Sequence, residues 1–234
     1  MKEILKENLI PLYHNLLDKV DCKIDIFTFC IQWGEKYFDK ENSGILFVGK
    51  ATNGWVSKSR DINVLFGENG IFDRKDQMKW IQNLENNTKG YNTKNSAFWR
   101  LIKRVTELQN GKNEWYNKIA WSNLYKISFE KGNPNEKLKQ QQLEICKRIL
   151  ETEIKILQPK IVIFLTSGWE HNFVNYLIKD TPKEKYKSVE WGNKYKTKGF
   201  LFNNTIYILS HHPQGKNENE HTKAIIEILN NCNK

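Results

Sequence analysis

Four short apolar segments, separated by longer segments with helical periodicity, constrain the fold of this chain more than any other feature. The segments are Ile45–Val48, Ile119–Leu124, Ile161–Leu165 and Thr205–Leu209, and each has the length and composition of a buried strand. Strands that alternate with helices favour right-handed crossovers and a mostly parallel sheet covered on both faces. The sequence therefore predicts an α/β fold whose ligands bind beyond the carboxyl ends of the strands.

Helical spacing of apolar residues surrounds these strands. The predicted helices cover residues 3–20, 24–40 and about 136–157 (capped near Asn135 and ended by Pro159), a segment after Asn95 or Ser96, a segment after Thr166-Ser167-Gly168, and a final segment containing Ile225 and Leu229. Residues 180–204, rich in Lys and Tyr, are predicted to form a basic surface loop. We expect one domain over residues 1–234, with residues 1–43 as an N-terminal helical layer.

The composition is that of a globular protein, because 39% of the residues are hydrophobic and 12% are aromatic. The longest apolar run, Ile161–Leu165, is far shorter than the roughly 20 residues that cross a bilayer. The first residues include acidic side chains and no apolar secretory core. We therefore expect a cytoplasmic protein with no membrane contact, and we expect it to be a monomer.

The chain carries 37 Lys and Arg against 27 Asp and Glu, a formal net charge of +10. An excess of this size favours a polyanionic partner, most simply DNA in single- or double-stranded form. The alternative is that Lys is abundant because the coding sequence is AT-rich, which also fits the preference for Lys over Arg. Charge alone leaves both interpretations open.

The four cysteines are scattered through the chain and form no Cys-x-x-Cys pair: Cys22, Cys30, Cys146 and Cys232. Structural zinc and iron–sulfur sites use closely paired ligands, so buried reduced thiols are the simpler interpretation. His211 and His212 are adjacent, but a metal site needs further ligands, for which only scattered residues are available. We expect no metal and no cofactor.

The predicted strands end in residues that suggest chemistry. Gly49-x-x-x-x-Gly54 begins like a phosphate-binding P-loop but continues with Trp-Val in place of Lys-Ser/Thr, which excludes that function. Asn123 ends the second strand, and its amide can either cap a turn or read a base edge. His211-His212-Pro213 follows the fourth strand, where successive side chains point in opposite directions, so only one imidazole is expected to enter the cleft.

Several segments between about residues 44 and 230 resemble, in order, motifs of the uracil-DNA glycosylase superfamily. Ile45–Gly49 with its Gly-rich exit is similar to the first motif, and Phe98–Ile102 is similar to the Phe-Trp helix of the mismatch-specific branch. A middle block resembles the thermostable iron–sulfur branches: Ser122–Lys126, Gly132-Asn133-Pro134, Cys146 and Leu157–Val162. Leu209–Pro213 resembles the closing His-Pro motif.

This resemblance implies a three-layer α/β/α sandwich with a central four-stranded parallel sheet. It also implies a DNA glycosylase that hydrolyses the N-glycosidic bond of a flipped uracil-like or modified base. His212 would donate a hydrogen bond to the anionic oxygen of the departing base, and Asn123 would hold the base edge. Phe66 would stack on the base (Phe72 being the next choice).

The remaining expected site residues follow from the same resemblance and from the long loop after the first strand. The backbone of Gly49, Lys50 and Ala51 would contact the base or the flipped phosphate. Asn53 would orient the attacking water and Asp61 would take its proton, with Glu68 and Asp73 as other acids of that loop. The expected DNA contacts are Lys126, Lys216 and Ser167.

The chain also departs from the superfamily pattern. Ala51-Thr52 stands where the first motif commonly has Asp-Pro or Asn-Pro, three of the four cluster cysteines have no counterpart, and Gln214-Gly215-Lys216 replaces the usual apolar wedge. Two other functions therefore remain open at the level of sequence. One is a glycosylase-fold protein that binds nucleic acid without catalysis, and the other is a hydrolase of free nucleosides.

Overall fold

A computed structural model describes residues 1–21, 23, 25–42, 44–52, 57–73, 78–178 and 187–232 of the chain. The helices in the described part are α1 (Lys2–Lys19), α2 (Asn63–Phe66), α3 (Trp80–Asn83), α4 (Ala97–Asn110), α5 (Glu136–Leu157), α6 (His171–Leu177) and α7 (Glu218–Cys232). The strands are β1 (Phe27–Thr28), β2 (Gln32–Trp33), β3 (Ile45–Gly49), β4 (Ile119–Asn123), β5 (Ile127–Ser128), β6 (Ile161–Leu165), β7 (Lys187–Trp191), β8 (Tyr195–Phe202) and β9 (Thr205–Ser210). The protein is therefore of the mixed α/β class.

Seven of these strands form one sheet in the order β2-β4-β3-β6-β9-β8-β7. The four central strands β4, β3, β6 and β9 are parallel and correspond to the four strands predicted from sequence. Antiparallel strands flank them, with β2 beside β4 and the β7–β8 hairpin beside β9. The expected four-stranded parallel sheet is thus the centre of a larger, mixed sheet.

Apolar side chains fill both faces of the sheet because successive residues of a strand point to opposite sides. In β3, Leu46 and Val48 belong to the core that packs against α1 and α5, whereas Ile45 and Phe47 belong to the core that packs against α4 and α7. All five residues of Ile161–Leu165 are buried, as expected for a central strand of a sheet covered on both faces. The helices therefore cover the sheet from both sides.

The long helix α5 begins and ends where its capping residues predict. The Asn135 side chain accepts a hydrogen bond from the Leu138 backbone N–H at 2.9 Å, which satisfies one of the free donors of the first turn. At the other end Gln158 adopts the left-handed conformation, and Pro159 follows it. These signals fix α5 at Glu136–Leu157, in agreement with the predicted bounds.

Two segments differ from the sequence prediction. Of the helix predicted at 24–40, the described residues 25–40 are not helical, because β1 pairs with β5 and β2 pairs with the edge of β4 in antiparallel fashion. Among the described residues of the predicted N-terminal layer, only α1 is therefore helical. The predicted loop at 180–204 contains the β7–β8 hairpin, which continues the sheet beyond β9. In both cases the chain pairs with strand edges that would otherwise expose unsatisfied backbone groups.

Candidate functional site

A cavity of about 780 Å³ opens at the carboxyl ends of β3 and β4. Its wall contains Gly49–Thr52 after β3, Asn123 at the end of β4, Phe98 in the first turn of α4, and His212 after β9. The structure thus brings together the two residues that the sequence analysis placed at separate strand ends, Asn123 and His212. Aromatic and amide side chains form much of the remaining wall, including Tyr91, Trp121, Asn92 and Asn133.

Asn123 presents an unused hydrogen-bond donor at this cavity. The residue is 1% exposed, and its Nδ2 atom has no hydrogen-bond partner among the described residues. Leaving such a buried group unpaired costs about 1–3 kcal/mol. A ligand carrying a carbonyl oxygen would satisfy this donor, so the amide is suited to read the edge of a nucleobase.

The close approach of Asn123 to β3 explains why residue 49 is a glycine. Gly49 lies opposite Asn123 in the parallel register, and a Cβ atom at position 49 would lie 2.4 Å from Asn123 Oδ1 and 3.4 Å from Phe98 Cζ. Any larger side chain would displace the amide or the ring. Gly49 therefore acts by letting both side chains pack over the β3 backbone.

A buried charged cluster lies directly behind Asn123, and we call it the lysine–glutamate network (Ser122, Lys126 and Glu153). Lys126 Nζ lies 2.9 Å from Glu153 Oε2, and both side chains are fully buried. The ammonium also donates to Ser122 Oγ at 2.6 Å and to the backbone carbonyl oxygen of Asn123 at 2.8 Å. Burial raises the pKa of Glu153, against the opposing effects of Lys126 and Ser122.

This network corrects the assignment of Lys126 as a DNA contact. Its ammonium is enclosed by the protein and donates to the backbone carbonyl of Asn123, so it cannot reach a phosphate. Lys126 instead supports the strand end that carries Asn123.

His212 is held in a defined orientation by its backbone and its ring. Its backbone N–H donates to Ser167 Oγ at 2.8 Å, and its Nδ1 accepts from the Gln214 backbone N–H at 3.4 Å. Burial, followed by the positive charges of Lys50 and Lys216, lowers the pKa of His212 to about 4. The imidazole is therefore neutral at pH 7, and because Nδ1 is an acceptor, its proton lies on Nε2.

A second buried cluster supports the strand that leads to His212, and we call it the hydroxyl–imidazole network (Trp191, Thr197, Ser210 and His221). Ser210 Oγ lies 2.7 Å from His221 Nε2 and 2.8 Å from Thr197 Oγ1, which accepts from Trp191 Nε1 at 2.9 Å. The His221 and Trp191 rings stack with centroids 4.3 Å apart. Burial lowers the pKa of His221 to about 3, so this network is uncharged at neutral pH.

Phe98 is the site residue that the sequence analysis did not assign. Its ring lies nearly parallel to His212 at a centroid distance of 6.0 Å and an interplanar angle of 16°. In the sequence, Phe98 belongs to the Phe98–Ile102 segment that resembles the Phe-Trp helix of the mismatch-specific branch, and no role at the site was predicted for it. The available signal was its position in the first turn of a crossover helix, because such helices start at the carboxyl ends of the strands.

Phe66, Phe72 and Asp61, for which roles at the base or the water were predicted, do not line the described cavity wall. Phe66 is 3% exposed and packs against Tyr13 and Phe72, each with ring centroids 5.1 Å away, so it cannot stack on a ligand. Phe72 is likewise fully buried. Asp61 is exposed and its carboxylate accepts from the Asn63 backbone N–H at 2.9 Å, at the start of α2. Asn53 lies outside the described residues.

The two adjacent histidines face different cavities, as the alternation along a strand predicts. His212 lines the first cavity, whereas His211 and Ser167 line a neighbouring cavity of about 680 Å³. His211 packs against the Tyr195 ring at a centroid distance of 5.0 Å. Ser167 therefore contributes to the first cavity by orienting the His212 backbone rather than by lining its wall.

No described residue that lines the first cavity is an Asp or a Glu. Within the described ranges there is also no group of three or more His, Cys, Asp or Glu residues arranged to hold a metal ion. Of the cysteines, Cys30 and Cys146 are buried, Cys232 is partly buried, and Cys22 lies outside the described residues. None of the helices described is both long and apolar enough to cross a bilayer.

No family model matches the chain, and no curated protein matches it.

Proposed function

We propose that this protein is a DNA glycosylase related to the uracil-DNA glycosylase superfamily, which hydrolyses the N-glycosidic bond of an extruded uracil-like or modified base. The observation that carries the proposal is the convergence of an unpaired buried amide and a neutral imidazole on one cavity at the carboxyl ends of the sheet. We further propose a monomeric cytoplasmic protein that acts on single- or double-stranded DNA.

The cavity offers the contacts that a flipped base needs. A base inside a duplex is inaccessible, so the enzyme must extrude it or accept a single strand. Asn123 Nδ2 would donate to a carbonyl oxygen of the base, which would satisfy the amide. Phe98 takes the stacking role that the sequence analysis gave to Phe66, because its ring lines the cavity. The backbone of Gly49, Lys50 and Ala51 would approach the base from β3.

His212 would stabilise the departing base. Heterolysis of the N-glycosidic bond gives oxocarbenium character to the sugar and leaves the bonding electron pair on the base. The Nε2–H group of a neutral imidazole can donate to the oxygen on which this negative charge develops. A donor already oriented toward developing charge is worth about 3–4 kcal/mol, or roughly 10²–10³ in rate.

The described cavity wall supplies no carboxylate to activate water. We therefore assign most of the catalysis to stabilisation of the leaving base, with water adding to the sugar cation after the bond has broken. The proton lost by that water passes to solvent, and the base anion takes up a proton. Asp61 has no role in this scheme, and Asp61→Asn is expected to leave turnover unchanged.

The test uses oligonucleotides that contain uracil, hypoxanthine, a mismatch or a hypermodified base, with abasic sites detected by alkaline cleavage. The wild-type protein is expected to generate abasic sites from at least one of them. His212→Gln should slow excision about 10²–10³-fold. His211→Gln is the matched control, because His211 faces the other cavity, and it should leave the rate unchanged. Equal losses in both variants would contradict the role of His212.

The lack of a carboxylate on the described cavity wall favours a second candidate, a nucleic-acid-binding protein without catalysis. This protein would bind oligonucleotides in a salt-dependent manner and yield no abasic product from any base. A hydrolase of free nucleosides would instead turn over nucleosides and show no salt-dependent DNA affinity.

A further inference from the structure

One lysine of the cavity wall and two lysines from neighbouring elements lie close enough to interact electrostatically. Lys50 follows β3 and lines the cavity, Lys139 lies in the first turn of α5, and Lys216 follows the His-Pro segment. The ammonium groups of Lys50 and Lys139 lie 4.9 and 3.7 Å from the centroid of the Trp169 ring. Trp169 therefore holds two cations close to one another at the edge of the cavity.

These positive charges are poorly balanced. Neither Lys50 nor Lys216 forms an ion pair with any of the described residues, and the Glu136 carboxylate that pairs with Lys139 is 80% exposed. The Glu170 carboxylate acts in the opposite direction by raising the pKa of Lys50, but it already accepts hydrogen bonds from Thr166 Oγ1 and the Gly168 backbone N–H. Burial, then the charges of Lys216 and Lys139, lower the pKa of Lys50. A bound anion would therefore reduce the mutual repulsion of the three ammonium groups.

We propose that Lys50, Lys139 and Lys216 form a phosphate subsite at the mouth of the cavity. Given the proposed function, on which this identification of the ligand rests, the subsite holds a phosphodiester group beside the extruded nucleotide. A phosphate supplies the negative charge that the three ammonium groups lack, and lysine binds phosphate as a point charge. Lys139 and Trp169, which no sequence motif pointed to, become parts of the DNA-binding surface.

A phosphate bound at this subsite should also change the pKa of His212, the candidate catalytic residue. After burial, Lys50 and Lys216 are the cations that lower the pKa of His212, and His221 of α7 is the neighbouring imidazole that interacts with it electrostatically. A bound phosphate would neutralise the two lysines, so the pKa of His212 should rise on binding. The pKa of His212 therefore measures whether the subsite is occupied, independently of catalytic activity.

The first test measures the affinity for a fluorescent oligothymidylate over a series of salt concentrations. Each of Lys50→Gln, Lys139→Gln and Lys216→Gln should weaken binding and reduce the slope of log K against log salt by about 0.7, the value for one lost phosphate contact on a single strand. The triple variant should reduce the slope by about 2.

Lys147→Gln is the matched control for Lys139→Gln. Both lysines lie on α5, pair with a glutamate three residues earlier at 2.7 Å, and have similarly buried side chains, 14% and 17% exposed. Lys147 packs near Tyr176 instead of Trp169. Its substitution removes the same charge and should leave the salt slope unchanged. Equal effects of the two substitutions would overturn the subsite.

The second test follows the His212 ring by NMR during pH titration, with inorganic phosphate, a mononucleotide or the oligothymidylate present. Every ligand that occupies the subsite should raise the pKa of His212 in the wild-type protein and not in the triple variant. A rise with inorganic phosphate or mononucleotide but not with the oligomer would retain the subsite and overturn its assignment to nucleic acid. No rise with any of the three ligands would overturn the subsite, whatever the outcome of the excision assay.

Discussion

The lysine–glutamate network and the hydroxyl–imidazole network each lie beneath a strand end that leads to a site residue, but they differ in charge. The first lies behind Asn123 and contains a fully buried ion pair, whereas the second lies behind His212 and is uncharged at neutral pH. In each, the serine that takes part is the last or next-to-last residue of a central parallel strand, Ser122 in β4 and Ser210 in β9. The chain thus fixes two site residues by buried polar contacts just upstream of them.

The difference shows what each network can contribute. A buried ion pair is often no more stabilising than an apolar replacement, so its presence under Asn123 points to positioning rather than stability. The hydroxyl–imidazole network joins the β7–β8 hairpin and α7 to β9 through neutral hydrogen bonds. We therefore expect the first network to control the geometry of Asn123 and the second to control the attachment of the hairpin.

The largest expected effect comes from breaking the ion pair on one side. Lys126→Met leaves the Glu153 carboxylate buried without its partner and should lower the free energy of unfolding by about 3–5 kcal/mol. The double variant Lys126→Met/Glu153→Leu removes both charges and should recover most of this loss. Urea unfolding measures both effects, with Lys147→Met, which breaks an ion pair with the exposed Glu144, as the control.

The same double variant separates positioning from stability. It should remain folded but excise the base more slowly than the wild-type protein, because the backbone carbonyl of Asn123 has lost its hydrogen bond from the Lys126 ammonium. A double variant with wild-type stability and wild-type excision would remove the positioning role.

The second effect is the pH dependence of the free energy of unfolding, which we assign to His212 and to His221 of the hydroxyl–imidazole network. The pKa values of His212 and His221 lie at about 4 and about 3, below the ordinary value of 6.5. As the pH falls from 6.5 toward 4, the unfolded chain binds protons that the folded chain does not. The free energy of unfolding should therefore fall with pH in this window, by about 1.4 kcal/mol per pH unit for each histidine.

His221→Gln should flatten this dependence, because it removes one of the imidazoles whose pKa the fold lowers. Urea unfolding at pH 7.5, 6 and 5 measures the slope. His14→Gln, at an exposed position of α1, serves as the control and should keep the wild-type slope. A wild-type slope in His221→Gln would show that this imidazole is not held neutral by the fold.

The smallest effect compares the two serines directly. Ser122→Ala removes hydrogen bonds to two charged groups, which are worth about 1.5–3 kcal/mol. Ser210→Ala removes contacts with a neutral imidazole and a hydroxyl group, for which about 0.5–1.5 kcal/mol is expected. Thermal or urea unfolding of the two variants should give this order. The reverse order would contradict the distinction between a charged and an uncharged network.

Much of the fold could be predicted from local patterns. The Asn135 cap, the Pro159 stop and the apolar run Ile161–Leu165 each carry their own signal, and the parallel order followed from alternating strands and helices. The β7–β8 hairpin carried a weaker signal because it lies at the sheet edge and exposes many polar side chains, such as Lys196 and Lys198. Residues 24–40 contain a short apolar run, and periodicity alone does not distinguish helix from strand in such a run.

The candidate site was predictable only in part, for a different reason. Asn123 and His212 follow strands, and the topology brings strand ends together. The role of Lys126 depends on Glu153, which lies 27 residues away on α5, so no local pattern could show that its charge is buried. Phe66 and Phe98 are both aromatic residues near loops, and only the packing of Tyr13 and Phe72 against Phe66 decides between them.

The most direct test of the central claim is a titration of the ¹⁵N-labelled protein with free nucleobases, followed by NMR. The claim is that Asn123 and His212 contact the same base in one cavity. A base that binds should shift the Asn123 side-chain amide and the His212 Nε2–H resonances together, with one dissociation constant, and should leave His211 unaffected. If bases bind while only one of the two resonances shifts, or if no nucleobase shifts either of them, the account is contradicted.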